Sequence, residues 1–375
     1  MKPKKLYIIA GEASGDLHGS NLVKELYKAE PDLNIRAWGG DWMEQAGATI
    51  VKHYKDLAFM GFLEVLMNLR TILNNLKFCK SDIEKFKPDA LILIDYPGFN
   101  MRIAEWAHKR GIKVLYYISP QIWAWKKNRV FKIKKTVDKM YVILPFEKAF
   151  YAKYDVDVEF VGHPLLDEIN EYKKTAISLT DFKANNKLSE APIVALLPGS
   201  RKQEISQMLP KMLSVVDHFP DCQFVIGAST SISDEFYRPF LTNKNVSMVR
   251  EQTYNLFNLS DAGLVTSGTA TLEAALFGLP EVVCYRGSAI SIAIARRLIK
   301  IKFISLVNLI MDKEVVKELI QSDLNTKNLV KQLKLILNPV YTEKLHHNYT
   351  ELRQNLGGSG ASEKVARAML KTISA

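Results

Sequence analysis

The sequence predicts an α/β protein made of two doubly wound, Rossmann-like domains in series. Short buried runs such as Leu6–Ala10 and Ala90–Ile94 alternate with helical patterns such as His18–Lys28, where apolar residues recur at helical spacing. The alternation fades near Tyr172 and restarts at Ile193. Strands that alternate with helices form parallel sheets covered by helices on both faces, so we expect one such sheet on each side of the break.

The same patterns give the expected elements and boundaries. The predicted strands are Leu6–Ala10, Ala90–Ile94, Lys113–Ile118, Met140–Leu144, Ile193–Leu197, Gln223–Ile226, Ala262–Val265 and Val282–Tyr285. We predict an N-terminal domain over residues 1–170, a polar linker region over 171–190, a C-terminal domain over 191–345 and a helical segment over 346–375. Gly357 to Gly360 interrupts that segment, and we expect the helix after it to pack back onto the first domain.

Composition limits the class of protein and its compartment. The chain has 375 residues, of which 47% are hydrophobic and 24% charged, as in ordinary globular proteins. Its three cysteines have no CxxC spacing, which argues against a disulfide framework or a structural zinc site and suits a reducing cytoplasm. No apolar stretch approaches the roughly 18 residues of a membrane span. The apolar run after the basic start ends at Gly11, too early for a signal sequence.

The formal net charge of +11 is concentrated in two clusters. One lies between Lys126 and Lys135 and the other between Arg296 and Lys302, and both contain interspersed aromatic or aliphatic residues. That composition suits an amphipathic surface on anionic lipid. A solvated helix face explains each cluster equally well.

The first glycine-rich loop is Gly11 to Asp16, which follows a predicted strand and opens a predicted helix. In a doubly wound sheet this position lies at the carboxyl edge of the strands, where ligands bind. The spacing is not GxGxxG, and Glu12 would repel a pyrophosphate, so an acceptor hydroxyl or a sugar phosphate is the better ligand. We place Ser14, Gly15 and Asp16 on this acceptor side. The alternative is a tight turn in which Ser14 or Asp16 caps the helix.

Two further loops between a strand and a helix predict a nucleotide-diphosphate site in the second domain. Backbone N–H groups and hydroxyls of such loops hold phosphate oxygens, an arginine binds a diphosphate in bidentate fashion, and an acidic residue accepts ribose hydroxyls. The donor-site residues predicted here are Gly199, Ser200, Arg201, Ser267, Gly268, Thr269 and Glu273. For Glu273 alone, stabilisation of the first helical turn is the alternative.

Asp95 is the candidate catalytic base, because it directly follows the buried strand Ala90–Ile94. A carboxylate at the end of a strand can deprotonate an attacking hydroxyl, and partial burial would raise its pKa. The alternative is an aspartate that only caps the turn, with His163 or Asp16 as base. No metal motif or cofactor signature is present, since Asp155-Val156-Asp157 precedes a strand away from the loops. Arg201 and helix dipoles would therefore take the leaving-group charge.

The segment from Ala58 to Leu69 is unusually apolar. Its apolar arc is wider than one core-facing helix face requires, so we predict an acyl-chain pocket or a membrane-dipping helix, with a core helix as the alternative. The residues assigned to this lipid contact are Met60, Phe62, Leu63, Val65, Leu66 and Leu69.

Together the motifs resemble those of the lipid-A-disaccharide synthases, bacterial glycosyltransferases of family 19 with the GT-B fold, in which two Rossmann-like domains face a central cleft. The resemblance covers nearly the whole chain. The matching strings are Gly11 to Asp16, Met60 to Val65, Asp95 to Asn100, Ser119 to Trp125, Val161 to Pro164, Leu197 to Arg201, Ser267 to Glu273 and Ser305 to Ile310. Val307 departs from the family, which usually has proline there, and this puts the geometry around Asn308 in question.

The resemblance implies a reaction and a location. UDP-2,3-diacylglucosamine would donate its sugar to the 6-hydroxyl of 2,3-diacylglucosamine 1-phosphate, with inversion, to give a β-1,6-linked disaccharide and UDP. Asp95 matches the proposed base, Arg201, Thr269 and Glu273 match the UDP side, and Asn308 lies close to it. The protein would work at the inner face of the inner membrane of a Gram-negative bacterium, and a homodimer is left open.

Three rival functions remain at this point. A UDP-sugar 2-epimerase would share the second-domain loops but has no need of the apolar segment. A membrane-associated nucleotide-binding regulator would leave Asp95 without a purpose. Nucleic-acid binding rests only on charge and on Trp123 and Trp125, without any known motif.

Overall fold

The computed structural model describes residues 3–57, 69–124, 127–287 and 302–374. The chain divides into two compact units. The first unit contains Met1–Asp167 together with Leu356–Ala375, and the second contains Glu168–Asn355.

A seven-stranded parallel sheet forms the centre of the first unit, in the strand order β3-β2-β1-β4-β5-β6-β7. Its strands are β1 (Lys5–Ala10), β2 (Asn34–Gly39), β3 (Thr49–His53), β4 (Ala90–Ile94), β5 (Lys113–Tyr117), β6 (Lys139–Val142) and β7 (Val158–Phe160). Its helices before the chain leaves the unit are α1 (Ala13–Ala29), α2 (Asp41–Gln45), α3 (Leu69–Phe86), α4 (Pro97–His108), α5 (Arg129–Thr136) and α6 (Pro145–Ala152), and α7 (Leu165–Lys173) leads onward.

The register of the central strands brings their carboxyl ends to one edge of this sheet. Strands β1 and β4 pair with Ala10 opposite Ile94, and β4 and β5 pair with Ile94 opposite Tyr117. All five residues of β4 are buried, as expected for a strand covered on both faces. Residues that follow β1, β4 and β5 therefore gather at the edge where doubly wound sheets bind ligands.

The last helix, α16 (Ala361–Ser374), packs against α1 within the first unit, which confirms the expected return of the chain. It buries Val365, Ala366 and Met369. The Thr372 carbonyl accepts a hydrogen bond of 2.7 Å from the Lys113 ammonium, so the helix is also tied to the sheet.

The second unit is built on a six-stranded parallel sheet in the order β10-β9-β8-β11-β12-β13. Its strands are β8 (Ile193–Leu197), β9 (Gln223–Ala228), β10 (Val246–Arg250), β11 (Ala262–Thr266), β12 (Glu281–Tyr285) and β13 (Lys317–Ile320). Its helices after α7 are α8 (Leu179–Asn185), α9 (Lys202–Leu213), α10 (Asp234–Tyr237), α11 (Thr253–Leu259), α12 (Thr269–Phe277), α13 (Leu306–Met311), α14 (Thr326–Ile336) and α15 (Pro339–Asn355).

The strand order of the second sheet creates a switch point beside β8. Strand β8 lies between β9, which follows it in the chain, and β11, which comes later, and Leu197 pairs with Val265. The loops after these strands therefore share one edge. Two doubly wound parallel sheets confirm the predicted fold class.

Several elements differ from the sequence prediction. Strands β2, β3, β10 and β13 are present although no strand is predicted there. The region interpreted as a linker holds helix α8, capped by the Ser178 hydroxyl, which accepts the Asp181 N–H. Within the described ranges, none of the helices combines the length and apolar character that a bilayer crossing requires.

Candidate functional site

Asp95 follows β4 directly and has a strained backbone. Its φ is +43°, and that of Tyr96 is +46°, both in the left-handed region that non-glycine residues rarely adopt. The Asp95 carbonyl accepts hydrogen bonds from the Tyr116 hydroxyl at 2.6 Å and from the Asn100 amide at 2.9 Å. The Asp95 N–H donates to the Tyr117 carbonyl at 3.1 Å. Three hydrogen bonds thus hold the residue in a conformation that it would not adopt alone.

The surroundings of Asp95 make its carboxyl group more basic. Burial, and secondarily the negative charge of Glu12, raise the pKa of Asp95 to about 6. A hydrogen bond from the Tyr96 N–H and the nearby His18 act in the opposite direction. The group is therefore ionised at neutral pH but binds a proton far better than an ordinary aspartate, which suits a general base.

The loop from Gly11 lies beside this aspartate. A Cβ at Gly11 would lie 2.3 Å from the Tyr96 ring, so only glycine lets that ring cover the loop. At Gly15 a Cβ would lie 3.2 Å from the Ala10 Cβ, which allows α1 to approach β1 closely. Ser14 is exposed in the first turn of α1. Glu12 and His18, which act on the Asp95 pKa, are site residues that we did not predict.

The side chain of Asp16 is enclosed by the protein and bound to backbone groups. Its side chain is fully buried, and its carboxylate accepts the N–H groups of Gly40 at 2.7 Å, Trp42 at 3.1 Å and Met43 at 3.2 Å. These amides belong to the start of α2, where a carboxylate is favoured by the helix dipole. These hydrogen bonds fix the β2–α2 turn, and the placement of Asp16 on the acceptor side stays a prediction.

His163, the alternative base, is buried and neutral. Burial, with a smaller effect of His18, lowers its pKa to about 3. Its Nδ1 accepts the Leu165 N–H at 3.3 Å, and its own backbone N–H donates to the Leu356 carbonyl at 3.1 Å. A histidine with so low a pKa takes up a proton poorly at neutral pH, which favours Asp95 as the base.

In the second unit the predicted donor loops line one cavity of about 490 Å³. Each loop follows a strand, β8 or β11, and precedes a helix, α9 or α12. The predicted residues that line the cavity are Gly199, Ser200, Arg201, Ser267, Gly268, Thr269 and Glu273. The first turn of α12 thus opens on the cavity, and the N–H groups of such a turn attract phosphate oxygens.

The loop at Gly199 has a specific shape. Gly199 has φ +110°, and a Cβ there would lie 2.1 Å from the Glu204 carboxylate. That carboxylate accepts the Ser200 N–H at 3.0 Å, so a side chain of α9 folds back over the loop. Ser200 is tied a second time, because its carbonyl accepts a hydrogen bond of 3.3 Å from the Ser229 hydroxyl.

Part of the cavity wall was not predicted. Gly227 and Ala228 end β9, Ser229 and Thr230 follow it, and Glu251 and Thr253 follow β10. Their common signal is a position at or just after the carboxyl end of a strand of the same sheet. For Glu251 and Thr253 the sequence does not show this position, because β10 contains two half-buried polar residues and its pattern does not predict a strand.

Asn308 does not line the donor cavity. Its fully buried amide donates to the Val316 carbonyl and to Glu318, each at 2.9 Å, and its oxygen accepts the N–H groups of Val315 at 2.7 Å and Val316 at 3.0 Å. The four hydrogen-bonding positions of the amide are therefore filled by the protein, and the assignment of Asn308 to the donor side stays a prediction. Glu318 also binds the Ile304 N–H, and the Ile304 carbonyl accepts from Ser267 at 3.3 Å.

The predicted lipid-contact residues largely lie outside the described residues. Met60, Phe62, Leu63, Val65 and Leu66 fall in the range 58–68, and only the backbone of Leu69, at the start of α3, is described. Most of the second basic cluster falls in the range 288–301 and is likewise outside. Of the first cluster, α5 exposes Phe131 to 60% beside Lys134 and Lys135.

Comparison with known sequences assigns the chain to a family. The model of the lipid-A-disaccharide synthetase family matches residues 6–371. The lipid-A-disaccharide synthase of Geobacter metallireducens is 39% identical over 377 residues, covering 99% of this chain and 97% of that protein. The enzyme so named in Syntrophus aciditrophicus is 40% identical over 381 residues, with 100% and 99% coverage, and that of Coxiella burnetii 36% identical over 379 residues, with 100% of both chains covered.

Comparison with solved structures bears on the fold alone. A UDP-GlcNAc 2-epimerase from Neisseria meningitidis, bound to UDP-GlcNAc, gives a TM-score of 0.70 at 16% identity, covering 98% of this chain and all of that one. The glycotransferase of kitacinnamycin gives a TM-score of 0.68 at 13% identity, with both chains fully covered. These neighbours share the two-domain GT-B fold, whereas the full-length sequence match distinguishes the function. This chain belongs to the lipid-A-disaccharide synthases, UDP-sugar glycosyltransferases of lipid A biosynthesis.

Proposed function

We propose that this glycosyltransferase joins UDP-2,3-diacylglucosamine to 2,3-diacylglucosamine 1-phosphate by a single inverting displacement, with Asp95 as the general base. The oxygen of the acceptor 6-hydroxyl bonds to the anomeric carbon of the donor, and Asp95 accepts the proton of that hydroxyl. The bond from that carbon to UDP breaks on the opposite side, and UDP leaves with the bonding electrons. The observation that carries the proposal is a strand-end carboxyl, held by its backbone, with a pKa of about 6.

The donor cavity of the second unit has the groups that UDP requires. We assign the diphosphate to the loop and helix start at Ser267, Gly268 and Thr269, where α12 begins, and to Arg201 across the cavity. Backbone N–H groups and a guanidinium stabilise the charge that develops on the leaving diphosphate without a metal ion. We assign the ribose to Glu273, which is half-buried one turn further into the helix. In the first unit, Ser14 remains the exposed acceptor-side candidate, while Gly15 and Asp16 shape its loop.

We further propose that the protein works on the anionic inner surface of the inner membrane. Both substrates carry acyl chains, and the exposed Phe131 among lysines suits a surface that combines apolar insertion with attraction to anionic lipid. Met60, Phe62, Leu63, Val65, Leu66 and Leu69 remain the proposed contacts with lipid. Replacing Phe62 and Leu66 with serine should reduce sedimentation with phosphatidylglycerol vesicles, and unchanged sedimentation would count against this role.

The direct test supplies both acylated substrates to the purified protein and follows disaccharide and UDP together. We expect the two products in equal amounts, with neither formed when the acceptor is omitted. UDP release that does not depend on the acceptor, or no disaccharide at all, would refute the proposed reaction. Nuclear magnetic resonance of the product tests inversion, since an α-linkage would contradict single displacement.

The site assignment has its own variants. Arg201→Ala should raise the donor KM and lower kcat, because the guanidinium acts on a charge that grows in the transition state, and Arg201→Lys should recover part of the loss. Lys202→Ala is the matched control, since Lys202 is the next residue, also exposed, and does not line the donor cavity. Equal effects of the Arg201 and Lys202 replacements would show that only general positive charge matters.

A further inference from the structure

Helix α12 has its first turn in the donor cavity and its last turn held by another helix of the same unit. The helix ends at Gly278, which has φ +94°, and three carbonyl groups around this end point to α15. The Gly278 carbonyl accepts from His346 Nε2 at 2.9 Å, and the Leu279 carbonyl accepts from the Tyr349 hydroxyl at 3.2 Å. The Leu276 carbonyl accepts from the Arg353 guanidinium.

The three donors form one face of α15. Positions 346, 349 and 353 follow the spacing of three and four residues that places side chains on the same side of a helix. The last carbonyls of a helix have no partner within it and carry a partial negative charge. The Leu276 carbonyl lies in the last turn of α12, so the guanidinium supplies a donor that the helix lacks and also opposes its dipole. The imidazole and the phenol hold the two residues that directly follow the helix. Tyr349 is buried, so its hydroxyl has little access to water as a substitute partner.

Because α12 is short and rigid, a shift of its carboxyl end moves its amino end at the donor cavity. Helix α12 has nine residues, and at about 1.5 Å a residue it spans roughly 13 Å. It buries Leu272, Ala274 and Ala275, and its Phe277 ring packs 5.8 Å from Phe257 and 5.3 Å from Tyr172. This packing restricts sideways movement, whereas the hydrogen bonds from α15 restrict movement along and around the helix axis. Such movement would shift Ser267 to Thr269 against the bound diphosphate.

We propose that Arg353, His346 and Tyr349 are positioning residues of the donor site, which set the first turn of α12 by holding its last turn. The inference rests on the proposed assignment of UDP to the cavity at Ser267, Gly268 and Thr269. None of the three residues lines that cavity, so their effect on UDP has to pass through the helix.

The test compares variants of the whole chain in UDP binding and in steady-state kinetics. Arg353→Met keeps the length of the side chain without donors, and Arg353→Lys restores one charged donor. His346→Ala has a matched control in His347→Ala, the next residue on the same helix, which is also exposed, whereas the hydrogen bond to Gly278 comes from His346. Tyr349→Phe removes only a hydroxyl, so it carries the test if a larger change fails to fold.

We expect Arg353→Met to weaken UDP binding by calorimetry and to raise the donor KM, each about 3- to 20-fold, with the acceptor KM unchanged. Arg353→Lys should recover part of this loss, His346→Ala should show a smaller change, and His347→Ala none. Hydrogen exchange of the Thr269 to Leu272 amides, measured without ligand, should become faster in Arg353→Met and stay unchanged in His347→Ala.

The outcomes separate this inference from the function on which it rests. If the wild-type protein fails to bind UDP, the proposed donor site is wrong. If the wild type binds UDP and the α15 variants bind it equally well, with only a lower melting temperature, the three residues serve the fold alone and the inference is overturned. An equal rise of the donor and acceptor KM would also overturn it, because a displaced α12 acts on the donor side.

Discussion

Replacing Asp95 with asparagine should make the protein more stable at alkaline pH while it abolishes catalysis. The pKa of Asp95 is raised from an ordinary 3.8 to about 6, chiefly by burial. Above pH 6 the folded protein therefore carries a partly buried carboxylate that the unfolded chain solvates better. Asparagine removes the charge and keeps an oxygen that can accept the Tyr96 N–H.

The size of the effect follows from the shift. A pKa raised by about 2 units corresponds to roughly 3 kcal/mol of unfavourable free energy in the folded, ionised state, at 1.36 kcal/mol a unit. The pKa of Asp95 is higher in the folded protein than in the unfolded chain. The wild-type protein therefore pays no penalty for this carboxyl group below about pH 4, and the penalty is fully developed once the pH has risen through about 6. Asp95→Asn lacks this penalty. The gain should be near zero at pH 4 and reach about 2–3 kcal/mol at pH 8, or roughly 4–12 °C for a unit of this size.

The assay is thermal unfolding of both proteins at half-unit steps between pH 4 and pH 8, with turnover measured on the same samples. Asp138→Asn is the control, because the Asp138 carboxylate accepts the Val114 N–H at 2.6 Å at the amino end of β5. That variant also keeps an oxygen that can accept the Val114 N–H, and it should not reproduce the stability gain at pH 8. In Asp95→Asn, turnover should fall by several orders of magnitude with UDP binding retained, and wild-type kcat/KM should rise through about pH 6 and then stay level.

Two results would refute this reasoning separately. A stability gain that is absent at pH 8, or equal at pH 4 and pH 8, would show that burial does not destabilise the Asp95 carboxylate. Near-normal turnover of Asp95→Asn would show that another group is the base, whatever the stability.

Three further predictions test other parts of the molecule. Glu281 is fully buried, and neither of its carboxylate oxygens has a hydrogen-bond partner among the described residues. Because burial raises its pKa well above the ordinary value, Glu281→Met should raise the melting temperature more at pH 8 than at pH 5. An equal change at both pH values, or a lower melting temperature, would contradict this. Tyr116→Phe removes a hydrogen bond to the Asp95 carbonyl, so kcat should fall about 3- to 10-fold and the free energy of unfolding should fall by roughly 1 kcal/mol. Tyr141→Phe is the control: it loses a hydrogen bond to Thr372 and should keep its kcat. Gly199→Ala should weaken UDP binding at least tenfold, because Gly199 has φ +110° and the new Cβ would collide with the Glu204 carboxylate. At Gly268 a Cβ would meet nothing within 4 Å, so Gly268→Ala should keep its melting temperature. A normal UDP affinity of Gly199→Ala would contradict the assignment of this loop to the donor site.

The central strands could be predicted from the sequence and the peripheral ones could not, for a physical reason. Apart from the exposed Lys5 at the start of β1 and Thr266 at the end of β11, strands β1, β4, β8 and β11 are buried and apolar throughout. Strand β2 contains Arg36, whose guanidinium binds the Asp82 carboxylate at 2.7 and 2.8 Å. That partner lies 46 residues along the chain, so no local pattern shows that the charge is compensated inside a strand.

The same distinction applies to the candidate site. The loops at Gly199 and Ser267 are recognisable because each follows an apolar strand and contains glycine and hydroxyl residues. Whether a polar side chain faces the ligand or the protein depends on distant backbone groups. The amides that occupy Asp16 are 24 to 27 residues away, and those that occupy Asn308 come from the turn before β13. Residue type alone therefore cannot show which groups surround these two side chains, because the tertiary structure determines their partners.

Backbone strain marks the sites independently of any glycine-rich motif. Nine non-glycine residues of the described ranges have φ between +43° and +63°. Lys87, Asp155, Lys187 and Asp312 lie within three residues of a helix end, where a left-handed residue is the usual way to stop a helix.

Of the other five, four directly follow strands, namely Asp95, Ile118, Glu251 and Gln321, and Tyr96 comes one residue later, at the amino end of α4. An extended residue after β4 would place its side chain on one of the two helix-covered faces of the sheet, whereas a left-handed one ends the strand at its carboxyl edge. The cost, of order 1–3 kcal/mol for each residue, persists because the hydrogen bonds to the Asp95 carbonyl oppose relaxation. Glu251 lines the donor cavity in the second unit. Strain at the carboxyl ends of strands thus coincides with the proposed base in one unit and with the cavity wall in the other, where parallel sheets bind their ligands.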